Sequence, residues 1–133
     1  MKNFQNVIIL SAELSTNTFE GNRQRTLNLK GCLEDLNISH NGATGVYKGD
    51  LEVSFVCLPK NLEEIEALKD FAFKNFKQES ILMQDTSGTC HLIYADDSSE
   101  IIGKFRTVSP KLTDILDSYT VLNGVVYTTE EVA

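Results

Sequence analysis

From Leu51 the chain alternates: Leu51, Val53, Phe55 and Cys57 are apolar, and Glu52 and Ser54 fall between the first three of them. A period of two puts the apolar set on one face of a strand and turns Glu52 to the other, away from the sheet's own core. Tyr47 precedes this strand across Lys48-Gly49-Asp50. The glycine suits a tight reversal, so a hairpin here brings Tyr47 and Glu52 into one neighbourhood. Val7 to Leu10 is unbroken aliphatic sequence running on into Ser11-Ala12-Glu13. It reads as a central strand covered on both faces.

Helical spacing follows. Asn17 and Glu20 have the spacing of a capping box, and Leu29, Cys32, Leu33 and Leu36 then recur on one helical face up to about residue 36. The polar start of this helix, Gly21 to Arg25, and the segment Ser11 to Thr18 form a loop at the carboxyl end of the first strand, where open sheets hold ligands. Asn37 to Gly45 contains Asn41-Gly42 and reads as a turn. Pro59 stops the Leu51 to Leu58 strand. Asn61 and Glu64 repeat the capping spacing ahead of a second helix with Leu62, Ile65, Leu68, Ala72 and Phe76 on its buried stripe.

Ser80 to Met83 is a further strand, Asp85 to Gly88 a turn, and Cys90 to Ala95 a strand pairing back. Ile101 to Val108 is one extended segment with Gly103 as a bulge, and Pro110 to Asp117 a short helical turn. Asn123-Gly124 between β-branched runs predicts a hairpin over Tyr119 to Thr128. The order strand, helix, strand, strand, helix, strand predicts an α+β fold, a ferredoxin-like βαββαβ sandwich with additional C-terminal strands.

Composition narrows the function. The 133 residues predict one domain over 1–133, with 41% hydrophobic and 23% charged residues and a formal charge of −7. That charge speaks against nucleic-acid binding and favours a cationic ligand. Cys32, Cys57 and Cys90 are odd in number and widely spaced, predicting buried free thiols in a reducing cytoplasm. The aliphatic run Val7 to Leu10, behind Met1 to Asn6, is too short for a signal peptide or a membrane span. Zinc, P-loop and dinucleotide motifs are missing from the sequence, so no metal or cofactor is expected. His91, between Cys90 and Leu92, reads as a packed, hydrogen-bonded histidine. An enzyme built this way relies on positioning and desolvation.

Taken in order, Ser11-Ala12 with Ser15, Asn22 and Arg25, Thr44-Gly-Val-Tyr47, Glu52, Gln78-Glu-Ser80 and His91-Leu-Ile-Tyr-Ala95 resemble the small phage-encoded S-adenosylmethionine hydrolases, now regarded as lyases. The resemblance covers about residues 7 to 110. It implies that Tyr47 and Glu52 hold the methionine part of S-adenosylmethionine. It also implies that Ser11, Ala12, Ser15, Asn22 and Arg25 bind the substrate, with Ser11 to Asn22 supplying backbone and hydroxyl contacts to its adenosine, and that substrate binds between the subunits of a ferredoxin-like homotrimer. The segment between Tyr47 and Glu52 is shorter than in the family, which leaves Asp50 as the alternative to Glu52. The implied products are methylthioadenosine and homoserine lactone, or homoserine directly if water attacks. A half-covered sheet with a C-terminal hairpin also offers edges that another subunit could cover. Two other classes compete: a non-enzymatic trimeric sensor of a nucleotide-like ligand, and an acidic DNA mimic that blocks a restriction enzyme.

Overall fold

The structure, a computed structural model, describes residues 6–130; the reading of Met1 to Gln5 as carrying no leader lies outside them. Strand β1 (Val7–Ser11) leads to helix α1 (Phe19–Asp35), the hairpin β2 (Ser39–Tyr47) and β3 (Asp50–Leu58), and helix α2 (Leu62–Asp70), which continues into a π-helical turn (Phe71–Asn75). Strands β4 (Ser80–Gln84), β5 (Thr89–Tyr94), β6 (Ser99–Lys104) and β7 (Arg106–Val108) follow. A 3-10 helix (Pro110–Ile115) and the hairpin β8 (Tyr119–Leu122) and β9 (Val125–Thr128) close the chain. All pairings are antiparallel, in one sheet of order β6-β5-β4-β1-β3-β2-β8-β9-β7.

Both helices pack on one face of this sheet. Leu29 and Leu33 of α1 and Leu68, Ala72 and Phe76 from α2 and its π turn meet Ile8, Leu10, Phe55, Cys57, Ile81 and Ile93 in a single core. Truncating a fully buried member such as Leu33 to alanine costs about 2–5 kcal/mol. The opposite face lies away from α1 and α2. Ile9, predicted to be buried like Ile8, instead lines a cavity on that side together with Leu82 and Leu92. The aliphatic run of β1 thus reflects a core on one face and a cavity wall on the other.

The extended segment predicted over 101–108 divides at Phe105. Its first part pairs with β5, with Ile102 as the extra residue of a bulge next to Gly103 (φ +109°); its second part pairs with β9. Strands β6 and β7 are the two ends of the sheet order, yet a single residue separates them along the chain. The sheet therefore curls until it is nearly closed. Its edges face each other, which leaves little free edge of the kind expected to recruit another subunit.

Three local expectations are corrected. Asn41-Gly42 makes no turn: Asn41 pairs with Val56 and Gly42 with Phe55 inside a nine-residue ladder, because cross-strand pairing against all of β3 outweighs the local turn preference. The cap of α1 is Thr18, whose hydroxyl accepts the Gly21 N–H at 3.0 Å, while Asn17 accepts the N–H of Thr18 itself. Cys32 is only half-buried, whereas Cys57 and Cys90 are buried as expected. The Asn123-Gly124 hairpin forms as read, with both residues at positive φ (52° and 80°), as a type I′ turn requires.

Candidate active site

The β2–β3 ladder sets the geometry. Gly45 pairs with Glu52 and Tyr47 with Asp50, so these four residues and Ser54 share one face, and Tyr47 lies diagonally across from Glu52. Lys48 (φ 51°) and Gly49 (φ 87°) make the two-residue turn. The alternation seen in the sequence is thus realised: Phe55 and Cys57 enter the helical core, and Glu52 faces the cavity on the other side. That cavity, about 940 Å³, is bounded by the curled sheet, a volume within the range typical of small-molecule sites.

The cavity is acidic. Glu13, Asp50, Glu52, Glu79, Glu100, Asp117 and Glu130 line it, against Lys48 and Lys77. Burial, then the neighbouring charges of Glu13 and Asp50, push the Glu52 carboxyl up from 4.5 to about 7. Glu13 is held in place because its Oε2 accepts the Val53 N–H at 2.8 Å. Beside Glu52, the buried hydroxyls of Tyr47 and Ser54 have no hydrogen-bond partner among the described residues. Lys48 Nζ stands over the Tyr47 ring, 5.1 Å from its centroid. Unpaired buried hydroxyls are destabilising, so two of them beside a carboxyl with raised pKa make this part of the cavity the candidate site.

The loop residues divide into two groups. Ser15 is exposed and lines the cavity. Ser11 also lines it, but its hydroxyl is already engaged, donating to the Val53 carbonyl at 2.8 Å and accepting the Glu13 N–H at 3.0 Å. Asn22 reaches the cavity wall while its amide accepts the Leu14 N–H and donates to the Leu14 carbonyl, at 2.9 and 3.0 Å. Ala12 and Arg25 do not line the cavity. Ala12 is in the core, and its carbonyl accepts from Arg25 Nε at 2.5 Å. The other end of the guanidinium donates to the Phe76 carbonyl and lies over the Phe76 ring. The π turn matters here. Its hydrogen bond from the Phe76 N–H to the Phe71 carbonyl (2.9 Å) ends α2 so that the Phe76 carbonyl meets both Arg25 and Gln78. Gln78 in turn donates to the Glu13 carbonyl at 3.0 Å. These bonds fix the loop that carries Glu13.

Two residues of the site, Ser54 and Glu13, were not singled out as site residues from the sequence. Ser54 was legible, since it shares the Glu52 face by period two. Glu13 was not, because its position depends on long-range bonds to Val53 and Gln78. Remote from the cavity chemistry, His91 Nε2 bonds Asp85 Oδ2 at 2.9 Å, and hydrogen bonds from Ser87 and then His91 hold the Asp85 carboxyl far below the usual range. His91 is therefore hydrogen-bonded as expected. Burial pushes the thiol of Cys57 up to about 12 and that of Cys90 to about 11, which makes both poor nucleophiles.

No described helix is long and apolar enough to cross a membrane. Comparison with curated proteins finds no match for the chain. The sequence model of the S-Adenosylmethionine lyase family, however, matches residues 8–130, which takes in the β2–β3 hairpin, the Glu13 loop and the C-terminal hairpin alike. A cavity rich in carboxylates, with unpaired hydroxyls beside Glu52, suits a ligand that carries cationic groups, and by the match over residues 8–130 this chain belongs to the S-adenosylmethionine lyase family.

Proposed function

We propose that this protein degrades S-adenosylmethionine as a lyase, releasing methylthioadenosine and homoserine lactone. The observation that carries the reading is Glu52, a carboxyl raised to about 7 by burial and by Glu13 and Asp50, beside the unpartnered Tyr47 hydroxyl on the cavity wall. The substrate's ammonium pairs with Glu52, and Tyr47 fixes the methionine moiety. The substrate's own carboxylate oxygen then attacks its γ-carbon. The carbon–sulfur bond breaks, its electron pair stays on sulfur, and a neutral thioether leaves without needing a proton. Nucleophile and electrophile belong to one molecule, and such positioning supplies on the order of 7 kcal/mol or more. Neither a metal nor a cofactor enters this scheme.

A carboxyl near 7 also suits a general base that activates water, the hydrolase reading. The lyase is favoured because a counter-ion to the substrate's ammonium must be ionised and held by that ammonium, which leaves it unfit to take a proton from water. A cationic substrate offsets the repulsion from Glu13 and Asp50, so Glu52 is ionised and engaged as a counter-ion when chemistry begins.

The central strand order β4-β1-β3-β2 under two helices supports a ferredoxin-like description of the fold. The exposed apolar side chains Phe19, Leu27, Leu51 and Val53 support the homotrimer, whose mass light scattering measures. Chromatography of S-adenosylmethionine incubated with pure protein tests the function: methylthioadenosine and homoserine lactone are expected before homoserine. No turnover would leave a ligand-binding protein.

A further inference from the structure

The C-terminal hairpin has no part in the scheme so far, yet it forms a wall of the same cavity. Its place can be read from the strand register. Glu52 pairs with Gly45, Gly45 with Thr120, and Thr120 with Tyr127. Directly paired residues of antiparallel strands share a face, so these four form one row across β3, β2, β8 and β9, and all line the cavity. Three strand steps of about 4.8 Å separate the ends of the row, about 14 Å measured along the sheet. At the far end, Tyr127 meets the ring of Phe105 edge to face, with centroids 6.2 Å apart and an interplanar angle of 77°. Phe105 also lines the cavity, at the point where the two sheet edges approach. Both rings are partly exposed.

The row changes chemistry along its length. It begins with a carboxylate, passes a glycine with no side chain and a threonine hydroxyl, and ends on the Tyr127 ring, against which Phe105 packs. Gly45 is not at positive φ, and a methyl group added there would stand 3.7 Å from Ser54 Oγ. Its bareness keeps the floor of the cavity open between the two ends.

We propose that Tyr127 and Phe105 form the purine-binding end of the cavity, with the base stacked on one ring and edge-on to the other, as their near-perpendicular planes require, and with the amino-acid end of the same ligand at Glu52 and Tyr47. The inference rests on the proposed function for the identity of the ligand, and it places the base at Phe105 and the C-terminal hairpin, where the resemblance implied adenosine contacts from Ser11 to Asn22; the Ser11 hydroxyl and the Asn22 amide are already bonded to Val53, Glu13 and Leu14. The span of the row suits an extended conjugate of an amino acid and a nucleoside. Stacking on aromatic side chains is a general way to hold a base.

Calorimetry with methylthioadenosine tests this, because that probe carries the purine but neither the ammonium nor the carboxylate. Tyr127→Leu and Phe105→Leu are expected to weaken its binding at least tenfold, and Tyr127→Phe, which retains the ring, to restore it. Affinity for homoserine, which reports the Glu52 end, should stay within twofold in all three. Thermal melts identify any variant that merely loosens the sheet closure. Should both leucine variants unfold, cross-relaxation in the wild-type protein takes over: purine H2 or H8 should contact aromatic ring protons. Folded leucine variants with unchanged affinity, or purine protons without aromatic contacts, would overturn the inference. Methylthioadenosine binding that needs Tyr127, in a protein that leaves S-adenosylmethionine intact, would instead overturn the lyase and leave the purine site standing.

Discussion

Replacing Glu52 by glutamine should abolish most turnover and, at neutral to alkaline pH, make the protein more stable. Glutamine has nearly the same shape but carries no charge. In the folded protein the Glu52 carboxyl titrates at about 7 instead of 4.5, so the folded state holds its proton more tightly than the unfolded chain does. Stability from this group is therefore fully present below about 4.5, falls as pH rises from there, and is lost above about 7. At 1.36 kcal/mol per tenfold change, the ionised carboxylate costs the fold up to about 3 kcal/mol at pH 8. Glu52→Gln escapes that cost. For a chain of this size the gain corresponds to a rise in melting temperature on the order of 10 °C. Urea midpoints of both proteins at pH 4.5 and pH 8 measure it: the variant should be nearly equal at the lower pH and clearly more resistant at the higher. A variant no more stable at pH 8, or a difference independent of pH, would show that Glu52 is not held at a strained charge, and the cation-binding argument would lose its electrostatic basis.

The same coupling predicts that KM falls as pH climbs through about 7 and levels off above, since the substrate's ammonium selects ionised Glu52; a pH-independent KM between 6 and 8 would count against the pairing. Tyr47→Phe should cut kcat/KM at least tenfold without lowering the melting temperature, because its buried hydroxyl has no partner to lose. Differential scanning calorimetry beside steady-state kinetics separates the two effects. Arg25→Ala should destabilise by about 2 kcal/mol by leaving the Ala12 and Phe76 carbonyls without their guanidinium. Ser15→Ala, at an exposed cavity position, should leave the urea midpoint unchanged.

The site was legible where chemistry followed local pattern. Period-two alternation located Glu52, and the Lys48-Gly49 turn placed Tyr47 diagonally opposite, since both depend only on neighbouring residues. The Asn41-Gly42 turn failed for the converse reason, as a favourable dipeptide gave way to a nine-residue partner strand. The roles of Glu13, Arg25 and Gln78 come from bonds spanning 40, 51 and 65 residues, and no local spacing encodes those. The division at Phe105 was equally hidden. It arises because the sheet curls, and curling is a property of all nine strands together.

The central claim, that the substrate's own carboxylate breaks the carbon–sulfur bond, is tested most directly by the fate of an oxygen atom. In heavy-oxygen water the lyase makes the lactone without solvent, and water enters only when the lactone opens at its acyl carbon. Fragmentation of the homoserine by mass spectrometry should then place the label in the carboxyl group, with unlabelled lactone present at early times. Label in the homoserine hydroxyl, with no lactone at early times, would contradict the account and make Glu52 the base that activates water.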